Sequence, residues 1–160
     1  MNLLIGIHAA LGELGALVFV WVAVELINPT EGRIKRAKTV ALVGVVMFFI
    51  SWVAGGYYYL TNYQSVVKAL IKGGPTPWAH TVFTETKEHV FMFLPFMALI
   101  VWGALKQYGN DLIDNKKNLA KALMIFAAFI ALFAFTMAGM GYLISSGARS
   151  ALELKVLNPL

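Results

Sequence analysis

The 160-residue chain contains no cysteine. That excludes a disulfide scaffold, a thiolate metal site and a cysteine nucleophile. Charge is scarce as well: 13% of residues are Asp, Glu, Lys or Arg, against about 25% in a soluble domain. There is no phosphate-binding glycine loop, no dinucleotide glycine fingerprint and no supported Ser/His/Asp arrangement. The chain does have apolar residues in excess, 59% of the total, and a mean hydropathy of +0.73. This composition excludes disorder and an ordinary cytosolic enzyme, and indicates a polytopic membrane protein. The net charge of +5 is read as a positive-inside bias and not as a nucleic-acid footprint.

Four apolar runs, Leu3–Ile27, Thr39–Thr61, Thr81–Leu105 and Leu119–Ile144, are long enough for helices that cross a bilayer. Lipid leaves only helices or a closed barrel for the backbone, and these runs are too long for barrel strands. The expected fold is an all-α, four-helix transmembrane bundle. No basic residue precedes the first run, and it contains Glu13, so it reads as a retained helix and not a signal peptide. Asn28-Pro29-Thr30-Glu31-Gly32 and Tyr108-Gly109-Asn110-Asp111 stop the first and third helices. The connection 63–80 begins with a stretch, Tyr63–Lys72, suited to a short surface helix, and then breaks at Gly73-Gly74-Pro75. Residues 147–160 read as a C-terminal tail. Pro95 is expected to kink the third helix.

Eight of the 13 basic residues lie on the first and third connections (Arg33, Lys35, Arg36, Lys38, Lys106, Lys116, Lys117, Lys121). This bias places those connections in the cytoplasm of a bacterial or archaeal cell, and both termini outside.

The halves 1–62 and 81–146 also match one another. A shift of 81 puts His8 on His89 and Trp21 on Trp102; a shift of 84 puts Gly55 on Gly139 and Tyr58 on Tyr142. The expectation is two tandem hairpins related by a pseudo-twofold axis along the membrane normal.

Polar residues within spans are functional candidates. At 1.5 Å per residue, His8, His89, Gly55, Gly139, Tyr58 and Tyr142 fall near one depth, toward the outer face. In an up-down bundle the first and third helices are diagonal. Diagonal axes roughly 11–14 Å apart suit two imidazoles on opposite faces of one macrocycle, with Gly55 and Gly139 leaving room and Tyr58 and Tyr142 at its edge. This plan resembles that of the four-helix membrane b-type cytochromes with bis-histidine ligation. The resemblance implies one low-spin haem b, ligated by His8 and His89, and electron transfer with a quinone or a redox protein. Direct binding of copper, iron or zinc is the alternative cofactor reading. Two other functions compete: a noncatalytic scaffold in a homo-oligomer or larger membrane complex, and a metal-ion or proton conductor using His8, Glu13 and His89.

Among the remaining candidates, His80 reads as an interfacial residue, a second-site ligand or a proton carrier. Glu85 and Glu88 read as a solvated helix start or as proton or quinone contacts. Glu85 with His89 has the wrong spacing for a ferritin-like diiron pair. Glu13 reads as a neutral hydrogen-bonding group between helices or a relay carboxyl, and Glu25 as solvated or paired with a basic residue. The methionines Met92, Met97, Met137 and Met140 read as packing.

Overall fold

The computed structural model describes residues 2–157, which contain no strand. Four helices, α1 (Leu3–Glu25), α2 (Glu31–Lys72), α3 (Ala79–Tyr108) and α4 (Lys117–Leu157), are long and apolar enough to cross a membrane. The fold is an all-α four-helix bundle, as the composition demands.

Local chemistry sets the helix ends. The Asn2 side chain accepts the Leu4 amide at 2.9 Å and caps α1. Asn28-Pro29 ends α1, and Glu31 in the first turn of α2 faces that helix's positive end. Gly109, with φ of +40°, stops α3 in a conformation that favours glycine. A short helix, Asp111–Asp114, then leads into α4. The Pro95 expectation has its counterpart in a break of α3 at Phe91–Met92. Pro95 lacks the N–H that would bond to the Phe91 carbonyl, and the Leu94 amide takes that carbonyl instead, at 3.2 Å.

Helix α1 packs along α2 and α4, and α3 likewise packs against both α2 and α4. Around the bundle the order is α1-α2-α3-α4, so α1 and α3 are diagonal. Two glycines bring α1 and α2 together. A Cβ at Gly15 would lie 2.6 Å from the Phe48 ring, and one at Gly44 would lie 2.7 Å from the Phe19 ring. Each ring thus sits on the other helix's glycine, and the two rings stack with centroids 5.6 Å apart. Lipid offers no hydrophobic drive between helices, so close fitting of this kind is what holds them.

At the other end of this helix pair Glu25 is buried, and it is paired as anticipated. Its carboxylate accepts from Trp21 Nε1 (2.9 Å), Arg33 Nε (3.1 Å) and Arg36 Nε (2.9 Å). These bonds tie the end of α1 to the start of α2 and supply the partners a buried charge requires.

The helices outrun the apolar runs. At 1.5 Å per residue, α2 and α4, with 42 and 41 residues, are each roughly 60 Å long, about twice the hydrocarbon thickness. Residues 59–72 are not a separate surface helix. They continue α2, first as a π-helix over Tyr59–Val67 and then over Lys68–Lys72. Likewise α4 runs through the expected tail to Leu157, the last described residue; 158–160 lie outside the described residues. These extensions and the π-helical start of α3, Ala79–Thr84, form a second small core around Tyr63, Ile71 and Ala79. This cap stands over the end of the bundle that carries His8.

Candidate functional site

His8 lies on α1 one turn and a half from its start, half-buried against α2. Its Nδ1 is 2.8 Å from the Ser51 carbonyl oxygen. A carbonyl only accepts, so Nδ1 carries a proton, and in the neutral ring Nε2 keeps its lone pair. Ser51 reinforces the arrangement: its Oγ donates to the His8 carbonyl at 2.8 Å. The imidazole also packs edge-on against Phe91 of α3, centroids 5.2 Å apart. Gly55 makes room for it, because a Cβ there would stand 2.4 Å from Nδ1. Ser51 Oγ is the ring's second neighbour, 3.1 Å from Nδ1, and among the described residues Nε2 forms no hydrogen bond and is free.

Beside His8, between the bundle and its cap, is a mostly apolar cavity of about 720 Å³ to which all four helices contribute. Ile5 and His8 line it from α1, Gly55, Tyr58 and Tyr63 from α2, Thr84, Lys87 and Phe91 from α3, and Gly141, Ile144 and Arg149 from α4. This volume is within the roughly 300–1,000 Å³ of small-molecule and cofactor sites. Lys87 reaches across to α4, where its Nζ would be 3.0 Å from a Cβ on Gly141.

The cavity unites only part of the expected set. His8, Gly55 and Tyr58 line it; His89, Gly139 and Tyr142 do not. His89 is exposed and donates from Nδ1 to the Glu85 carbonyl of its own helix, 2.6 Å away. Gly139 has nothing within 4 Å of a would-be Cβ, and Tyr142 is 67% exposed, with the Arg149 guanidinium 5.9 Å from its ring centre. The inward pair of imidazoles is therefore corrected to one. The residues matched by the internal repeat also occupy unmatched surroundings: Trp21 bonds to Glu25, whereas Trp102 lies under Lys106.

A second polar group was not foreseen in this form. His80 is not an interfacial residue but only 1% exposed. Thr84 Oγ1 donates to the Ala79 carbonyl (3.2 Å), so it accepts from Tyr63 Oη (2.7 Å), and Tyr63 Oη in turn accepts from His80 Nδ1 (3.0 Å). The chain of donors leaves His80 Nε2 buried without a hydrogen-bond partner among the described residues. The Glu85 carboxylate is 3.7 Å from it. Both π-helical segments feed this cluster, Tyr63 from one and His80 and Thr84 from the other, and such segments recur at functional sites. The aromatic run Tyr57–Tyr59 and Tyr63 was the available signal, but the π register that aims Tyr63 at His80 leaves no periodic mark.

Glu13 is exposed and faces no other helix of the chain, which corrects its reading as a link between helices of this bundle. Glu88 is exposed at the cavity's edge and Glu85 is exposed beside His80. Among the described residues no three His, Asp or Glu side chains come together as a metal site would need.

No family model matches the chain, and neither a curated protein nor a solved structure does.

Proposed function

We propose that this chain is a small membrane haem protein that holds one haem b in the cavity through His8. The observation that carries this reading is the fixed tautomer of His8. Its Nδ1–H is anchored on the Ser51 carbonyl at 2.8 Å, the outer partner that iron- and zinc-ligating histidines customarily have, and Nε2 is free beside an apolar cavity. A bare copper, iron or zinc ion asks for three or more protein ligands, which are not gathered among the described residues; a haem asks for one or two. The cations Lys87 and Arg149 on the cavity wall suit the two propionates. When bound, haem b supplies a one-electron couple, exchanged with a quinone or a redox protein. Phe91, Ile5 and Ile144 keep its surroundings apolar, which tunes the potential.

Haemin titrated into the purified protein in mild detergent tests the reading. One haem per chain is expected, with a shifted Soret band of a mainly high-spin, single-histidine type. Absence of any protein-dependent Soret shift overturns the proposal.

The charge bias further supports termini outside the cytoplasm. The chain has no cysteine, so single thiols at Asn2→Cys and Lys35→Cys are unambiguous reporters. An impermeant maleimide should label the first in intact cells and the second only after permeabilisation. The opposite pattern reverses the orientation.

A further inference from the structure

Glu13 lies near the midpoint of α1, which spans Leu3–Glu25. At 1.5 Å per residue it is ~15 Å from one end and ~18 Å from the other, the middle of a hydrocarbon core about 30 Å thick. Its side chain is exposed, on a face that includes Ala9, Ala10, Leu17 and Val20. Among the described residues it has no salt bridge or hydrogen bond within the chain. An acidic side chain at the centre of a transmembrane helix is costly to insert, and such residues characteristically face protein or a polar cavity and not lipid. Such a residue on an open face of α1 calls for a protein cover.

We infer that the cover is α1 of a second copy of this chain, packed about a twofold axis along the membrane normal, with the two Glu13 carboxyls hydrogen-bonded to each other. Three observations select a second copy. A carboxyl is its own complement: the hydroxyl of one donates to the carbonyl oxygen of the other. A twofold contact brings the same residue of each chain to the axis, and Glu13 is the only acidic or basic residue on α1 before Glu25 apart from His8, which is turned onto Ser51. Ala9 and Ala10, one turn away on the same face, let two backbones approach, as small residues do between membrane helices. The contact leaves the cavity free, because five residues at about 100° each set Glu13 roughly 140° around the helix from His8.

The full chain in lipid nanodiscs tests this. Two chains per particle are expected at a lipid excess that isolates unrelated membrane proteins as monomers. Ala10→Cys, the sole thiol of its chain, should form an interchain disulfide on oxidation, whereas Leu132→Cys on the exposed face of α4 should not. Glu13→Leu, which lipid accepts, should lower the Ala10→Cys crosslink about tenfold. Glu13→Gln, whose amide also both donates and accepts, should restore most of it. One wild-type chain per particle, or crosslinking that Glu13→Leu leaves unchanged, overturns the inference. So does an Ala10→Cys thiol in native membranes that joins a different protein and not its own copy. Haemin binding can be read in the same particles, so failure of the dimer and failure of the haem reading are separately visible.

Discussion

His8→Ala is expected to weaken haemin binding by more than about 100-fold, and His89→Ala to leave it within about twofold. Loss of an outer-shell partner of a metal ligand already costs about 10–100-fold in affinity; loss of the protein's own ligand should cost more. His8 is placed for that role by two bonds to Ser51 and by Phe91 against its ring. His89 is exposed, with Nδ1 spent on the Glu85 carbonyl. The measurement is a Soret titration of the three proteins, with helix content checked by circular dichroism. Free imidazole, diffusing into the space left by the His8→Ala truncation, should recover part of the absorbance, because only the nitrogen ligand is missing. Equal losses in the two variants would show that both imidazoles reach the iron, and would restore the bis-histidine plan.

The reason His89 misled a reading of sequence is angular. Depth follows from counting residues, because the rise of a helix is nearly constant; His8, Gly55 and Tyr58 do share one level and one cavity. The direction of a side chain depends on phase, which advances about 100° per residue only while the helix is regular. Helix α3 is irregular on both sides of His89, π-helical over Ala79–Thr84 and broken at Phe91–Met92 above Pro95. Lys87 enters the cavity and His89, two residues on, faces away. The same irregularity buries His80, whose neighbour Trp78 suggests an interface. The helix count was legible because long apolar runs between Pro, Gly and Asn punctuation have no other solution in lipid. The helix ends were not, because a helix needs no hydrophobicity to continue past the bilayer. Only a breaker stops it, and between Tyr59 and Lys72 there is none.

Gly55→Ala and Gly139→Ala separate the observed site from a symmetric one. Both glycines hold equivalent places in the proposed repeat, yet a methyl at Gly55 would stand 2.4 Å from His8 Nδ1, 2.8 Å from Cε1 and 3.0 Å from Cγ, and at Gly139 it would meet nothing within 4 Å. The clash at Gly55 is with the body of a ring held by two helices, so the imidazole must leave the Ser51 carbonyl or the helices must part. Overpacking of this kind costs typically 1–3 kcal/mol. Gly55→Ala should therefore lower thermal stability in detergent, and should weaken haemin binding at least about tenfold through the displaced ligand. Gly139→Ala should bind haemin as wild type does and be no less stable, since alanine is favoured over glycine in a helix by up to about 1 kcal/mol. Equal damage at the two positions would mean that Gly139 also faces a ligand, and that the two halves of the bundle share the site after all.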